Sequence, residues 1–362
     1  MTGRRQQWGA RRALQAAAGR VLLVGALLIP AATAWAGCPG LDGGTVRWVV
    51  PSRPGGGYDA YSRLLQPFLE RALGAGILIE NRPEAGGIVG AAVVRDAEPD
   101  GRTLGLINAS GLLAANAVGA RVAPDPANDF RILASVVSNH LVMFTGRDSG
   151  IGNLDDLFEI ARSRPIVAGV RDAGSTSFYS VPVTAELLAF DYQLVSGYVG
   201  SAARTLAAMR GEVDIVFGHF DSVSDQVQAG ELLPLLQVTL AQGSGVDAPK
   251  LGGPEGAARQ RAAQSGHTPD AAVEAAAELS AIVGAGRLVV APKDLPAALA
   301  ACLDTTLAQV LGSRELAVAA ERAQLGVEPL DGAAARREVL AAERALARFE
   351  PLIRAAVEQA RR

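Results

Sequence analysis

The 362-residue chain is poor in the residues that most often carry chemistry: it has two cysteines, three histidines and, among 34 basic residues, two lysines, Lys250 and Lys293. His140, His219 and His267 stand at no metal-ligand spacing and beside neither cysteine, so no metal site and no Cys–His pair is legible. The G-x-S-x-G elbow, the P-loop lysine and H-E-x-x-H are all missing, which removes three common enzyme signatures. A triad dispersed over the chain stays open, with His219 as its one candidate base. No internal repeat occurs. No apolar run approaches the ~20 residues that a spanning helix needs.

What stands at the N-terminus is an export signal. Arg4, Arg5, Arg11, Arg12 and Arg20 form a basic stretch without an acid, Val21 to Ala34 is a short apolar core, and Ala34–Trp35–Ala36 supplies a small-x-small cleavage pattern. Residues 1–36 therefore read as a signal peptide and the mature chain as periplasmic. The whole chain carries −3, and removing those five arginines leaves −8, so nucleic acid is not an expected partner. The remainder is longer than one core usually serves and points to two lobes. Cys38 has two fates open to it. In an oxidising compartment it pairs with Cys302, the only other cysteine; alternatively "WAGC" acts as a lipobox and Cys38 is acylated, tethering the protein.

Gly55, Gly57 and Ala60 in "WVVPSRPGGGYDAYSRLL" meet the G-x-G-x-x-[GA] spacing of a dinucleotide turn, and a second strand, "GILIE", ends on Glu80 at the distance of a ribose-binding acid. Export argues against that use, and Pro51 to Pro54 separate the strand from the glycines where a dinucleotide fold would turn at once. No cofactor is expected.

Along the chain, strands alternate with helices, which gives an α/β class with mostly parallel sheets. "RILASVVSNHLVMFTG" is a β-rich run. Gly243 to Glu278 has little apolar periodicity and reads as a surface excursion plus one helix. Three amphipathic helices close the chain, around residues 295–311, 313–325 and 332–360. Five strand-to-helix turns carry glycine and small hydroxyl residues: Gly56, Gly57, Tyr58 and Asp59; Ser110 and Gly111; Gly174 with Ser175, Thr176 and Ser177; Tyr198 with Gly200, Ser201 and Ala202; and Asp221 with Ser222. Helix N-termini present free N–H groups and partial positive charge, so converging turns of this kind hold an anion. Asp59 is expected to cap the first helix. Few basic residues lie near these turns (Arg53, Arg171 and Arg204), so the expectation is a carboxylate held by backbone N–H groups and hydroxyls, nearest Gly56, Gly57, Ser110, Ser177 and Ser201, rather than by a salt bridge.

Pro51, Pro54, Gly55, Gly56 and Asp59, then Asn81 to Pro83, Ala85 to Gly87, Pro99 to Gly101, Thr103 and Leu104, stand in the order P-x-x-P-G-G-x-x-D, N-R-P-x-A-G-G and P-D-G-x-T-L. This run resembles the Bug family, the exported receptors of tripartite tricarboxylate transporters, and "GYVGSAARTLAAMRGEVDIVFG" and "LVVAPKDLP" look like its later segments. The resemblance implies a two-lobed, type II periplasmic-binding-protein-like fold, with residues 37–140 plus 285–362 in lobe one and 141–284 in lobe two. It also implies a monomer that binds a small carboxylate solute in the crevice and passes it to membrane transporter subunits or a sensor domain. The rival class is an exported enzyme on the same architecture. Three departures bear on the ligand: Val199 replaces a basic residue after Tyr198, "GSTSFYS" lacks a histidine often found there, and residues 243–278 are longer than usual.

Overall fold

The structure is a computed structural model and describes residues 37–117, 119, 123–173, 175–198, 200–238 and 246–360. Residues 1–36, expected from the sequence to be a signal peptide, Gly174 and Val199 lie outside the described residues.

In chain order the elements are β1 (Thr45–Val50), α1 (Gly57–Leu73), β2 (Gly76–Asn81), a 3-10 turn (Glu84–Gly87) into α2 (Ile88–Arg95), β3 (Thr103–Asn108), α3 (Ala109–Ala117) and β4 (Phe130–Ser135). There follow β5 (Leu141–Gly146), α4 (Leu154–Ala161), β6 (Ile166–Gly169), α5 (Thr176–Leu188), β7 (Tyr192–Val195), α6 (Gly200–Met209), β8 (Ile215–His219), a 3-10 turn (Phe220–Ser222), α7 (Ser224–Gln228) and β9 (Leu232–Gln237). The chain ends with α8 (Ala257–Gln260), α9 (Ala262–Ser265), α10 (Pro269–Gly284), β10 (Arg287–Pro292), α11 (Ala297–Leu311), α12 (Arg314–Arg322), β11 (Leu330–Asp331) and α13 (Gly332–Ala360).

These strands make two sheets, ordered β11-β4-β10-β3-β1-β2 and β7-β6-β8-β5-β9. The β-rich run that includes β4 and β5 is thus split at residues 136–140, and its two halves serve different sheets. The expectation of mostly parallel sheets needs correction. Parallel pairing is confined to two trios, β2-β1-β3 and β7-β6-β8, where helical crossovers set parallel strands side by side; α3 likewise returns the chain so that β4 runs parallel to β3, but β10 lies between them. Strand β10 returns from the second sheet and pairs antiparallel to both β3 and β4, while β5 pairs antiparallel to β8 and β9.

α1 shows how the sequence sets the packing. Tyr58, Tyr61, Leu65, Leu69 and Ala72 recur at helical spacing and are buried, and Gly74 ends the helix at φ 63. The excursion expected at 243–278 is also corrected. Leu251, Ala257, Ala258 and Ala262 are buried in the larger core, and α10 packs along α13, with Leu279 and Val283 of the first and Val339 and Leu346 of the second buried in that same core. Its alanines hid this, because a small residue contributes little to an apolar stripe yet allows close helix approach.

Cys38 and Cys302 form a disulfide with Cα atoms 5.7 Å apart, joining the start of the described chain to α11. A sulfur so bonded is not free to carry a thioether-linked lipid. Among the described residues no helix is long and apolar enough to cross a membrane, and no cluster of His, Cys, Asp or Glu is arranged to hold a metal ion.

Candidate functional site

A cavity of about 770 Å³ lies where the C-terminal ends of the two parallel trios face each other. One wall is the β1–α1 turn from Pro51 to Tyr58 and the β2–α2 turn from Pro83 to Gly86. The other is made from the ends of β6, β7 and β8 with the helix starts that follow them.

The β1–α1 turn is shaped by Gly55, whose φ of 80 favours glycine, and by Asp59. Asp59 is not the cap itself: the N-cap is Gly56, which offers no side chain, and Asp59 lies in the first turn of α1. Its carboxylate accepts the Gly55 N–H at 2.9 Å, the Asn81 amide at 2.9 Å and the Arg63 guanidinium. Burial raises its pKa, but Arg63, the Gly55 N–H and Asn81 outweigh that and hold it below the usual carboxylate range. A Cβ on Gly57 would lie 2.9 Å from the Ser222 hydroxyl and 3.2 Å from the Arg287 guanidinium. The turn therefore touches the end of β8 directly.

On the opposite wall Ser175 caps α5, accepting the Phe178 N–H, and donates its own hydrogen to the Asp172 carbonyl at 2.7 Å. Ser177 accepts the Arg171 N–H at 3.3 Å. Arg204, one turn into α6 on its buried face, is 9% exposed. Among the described residues its guanidinium donates only to the carbonyls of Gly200 and Phe217, each at 3.3 Å, and its Nε meets no acceptor. Burial, with Arg171 nearby, lowers its pKa to about 10. The Nε of Arg171 likewise meets no acceptor, though Asp172 lies 3.4 Å away. His219 ends β8 with Nδ1 buried and unpartnered, and burial together with Arg287 lowers its pKa to about 3. It is a neutral imidazole at physiological pH.

The two walls meet through one ion pair. Arg287 is 1% exposed at the head of β10, in register with Asn108 of β3, and lies 2.7 Å from Asp221 beyond β8. Tyr58 and Tyr61 cover the guanidinium at 5.4 and 4.4 Å. Burial works against both charges, and their mutual attraction outweighs it: Arg287 is raised and Asp221 lowered.

Of the residues singled out in the sequence, Gly56, Gly57, Tyr58, Ser175, Thr176, Ser177, Tyr198, Gly200, Ser201, Ala202 and Ser222 line the cavity. Four do not. Asp59 sits behind its turn, and Asp221 lies behind Ser222 and faces Arg287. Ser110 is fully buried between Asn108 and the Thr176 hydroxyl, and Gly111 donates its N–H to Asn108. The turn at the start of α3 therefore supports α5 from behind. His219, named from the sequence only as a candidate base, lines the cavity too, as do Asn108 and Arg287, which were not singled out. For Arg287 a signal existed: it is a lone charge heading an apolar strand, "RLVVAP". The expected neutral donors share the lining with four arginines, Arg53, Arg171, Arg204 and Arg287. Arg204 is not near the turn by accident of sequence, because the helical period brings it onto the cavity wall.

A second cavity, about 720 Å³, is lined by Phe158, Phe190, Tyr192 and Arg261 among others. There Arg261 stacks on Phe158 at 4.0 Å and donates to the Leu188 carbonyl, so its charge is already engaged.

Two α/β lobes around a cleft at strand C-termini are the architecture of a periplasmic binding protein. Structures of that kind align over most of the chain. Periplasmic binding protein BugD gives a TM-score of 0.69 at 20% identity, covering 86% of this chain and 98% of its own. MatC from Rhodopseudomonas palustris with bound malate gives 0.67 at 20%, covering 86% and 99%. An R. palustris protein with adipate gives 0.66 at 24%, covering 87% and 97%. The sequence matches the family described as tripartite tricarboxylate transporter family receptor over residues 61–246, just over half of the chain. Among curated relatives, the UPF0065 protein of the tcbD-tcbE intergenic region in Pseudomonas sp. (strain P51) is 30% identical over 184 residues, 51% of this chain and 54% of that protein. BugT of Bordetella pertussis is 27% identical over 203 residues, 52% and 59%. The chain spans about half the length of the curated relatives it matches. It belongs to the tripartite tricarboxylate transporter receptor family, also called Bug.

Proposed function

We propose that this is an exported, periplasmic solute-binding receptor that captures a small carboxylate-bearing solute between two lobes, residues 37–140 with 285–362 and residues 141–284. It hands the solute to a tripartite tricarboxylate-type transporter or to a sensor, and it binds rather than transforms what it captures. The observation that carries this is Arg204, a buried guanidinium with carbonyl partners alone on the wall of a cavity of about 770 Å³. A buried cation without a counterion costs several kcal/mol, and an anionic ligand removes that cost. Around it the helix starts at Ser175–Ser177 and Gly200–Ala202 add N–H and hydroxyl donors. The family and the malate and adipate held by proteins of the same fold support the same reading.

A thermal-shift screen of mono-, di- and tricarboxylates, aromatic acids and amino acids tests it, since a ligand of the folded state raises the melting temperature. At least one carboxylate shifts the transition. Turnover of a bound acid by the purified protein, or the failure of every acid to bind, overturns the proposal.

A further inference from the structure

The charges around the cavity can be paired off. Arg171 has Asp172 at 3.4 Å and Arg287 has Asp221 at 2.7 Å. At the rim, exposed Arg53 and Glu84 cancel in sign. His219, half-buried near Arg287, Arg204 and Arg171, is neutral. Among the described residues one buried positive charge of the lining remains without an acidic partner, that of Arg204. The partial charge at the start of α1 is not spare, because the Asp59 carboxylate already takes the Gly55 N–H there. Between the charged groups the lining offers uncharged surface, with Tyr58, Tyr198, Phe217, Leu141 and the prolines Pro51 and Pro83 beside the hydroxyls of the helix starts.

We infer that the site is built for a monocarboxylate: one ionised carboxylate on Arg204, attached to an uncharged, mainly apolar body. This rests on the receptor reading above and narrows its solute class. A second carboxylate would find no further buried unmatched cation among the described residues, only the solvent-exposed Arg53 at the rim, and deeper in the cavity, near Asp172, it would stay desolvated and unpaired. The volume exceeds what a carboxylate alone fills and leaves room for an aliphatic or aromatic body.

Titration calorimetry with matched probes tests the charge count. The pairs are hexanoate with adipate and benzoate with terephthalate, each set completed by the corresponding neutral amide, hexanamide or benzamide. In at least one set the monocarboxylate binds ten-fold or more tighter than both the dicarboxylate and the amide. Arg204→Gln then lowers monocarboxylate affinity at least ten-fold and leaves the amide unchanged. Asp172→Asn, which adds one unmatched positive charge, narrows the gap between mono- and dicarboxylate. A dicarboxylate that binds as tightly as its matched monocarboxylate overturns the inference while leaving the receptor reading intact. Absence of binding by every acid overturns both. The ranking on the unaltered protein decides the matter even if a variant does not fold.

Discussion

The ion pair between Arg287 and Asp221 offers the sharpest test of the energetics. Arg287 is 1% exposed, so its charge depends on Asp221 and on the faces of Tyr58 and Tyr61. Asp221→Asn keeps the shape and removes the counterion, leaving a guanidinium supported by two ring contacts of about 1 kcal/mol each. Breaking a buried pair from one side costs about 3–5 kcal/mol. Arg287→Met keeps the packing volume but leaves a carboxylate with Ser222 as its hydrogen-bond partner, and a similar loss follows. With both groups neutralised no lone charge is buried, so the double variant loses much less than the sum, and the coupling comes to about 2–4 kcal/mol. The pH sense is fixed too. Asp221 is held below its ordinary value, so its contribution is complete above about pH 4 and disappears as pH falls through the folded value. Urea denaturation of the four proteins at pH 7 and pH 4 measures the cycle. A coupling below about 0.5 kcal/mol at pH 7 would refute the account of the wall contact.

Other perturbations follow from features described above. Cys302→Ser removes a crosslink spanning 264 residues and lowers stability by about 5 kcal/mol on loop-closure arguments; intact-mass analysis after alkylation without reductant finds no free thiol in the native protein, and two alkylated cysteines would contradict the pairing. His219 is neutral in the fold with a pKa near 3 but titrates near 6.5 when unfolded, so stability falls by about 1.4 kcal/mol per pH unit between those values as pH drops. His219→Gln flattens that slope, and an unaltered acid profile in this variant would show that His219 is not the group responsible. Asp59→Ala frees the Gly55 N–H and the Asn81 amide and costs about 1–2 kcal/mol, with weaker ligand binding measured by the same calorimetry; unchanged stability and affinity would remove Asp59 from its place behind the turn.

Much of the cavity's lining was legible because strand-to-helix turns are local. A glycine-rich run after Val50 or a serine pair at Ser175 and Ser177 announces a helix start without knowledge of its surroundings. What stayed hidden was whatever depends on two distant segments. Arg287 heads a strand of one sheet and Asp221 lies in the turn after a strand of the other, and nothing in either neighbourhood names the other. Ser110 carries the same local signal as Ser177, yet α3 stands behind α5 and that hydroxyl supports the wall rather than forming it. The strand pattern was similarly legible one element at a time, whereas direction was not, because a returning strand such as β10 has the same apolar pattern whichever way it runs.

The placement of β10 fixes an order of assembly. Until residues 287–292 are available, the first sheet exists as two pieces, β2-β1-β3 and β4, each with a bare inner edge, although the second sheet is complete in sequence at Gln237. A chain emerging from its N-terminus can therefore pair the strands of its middle before those of its beginning. The first-made strands must wait for a partner separated from them by the whole second sheet, a long-range closure that slows folding and leaves unpaired edges open to other chains in the meantime. A chain that stops short of Arg287 keeps those two edges for good and behaves as an aggregating fragment rather than as a smaller version of the protein.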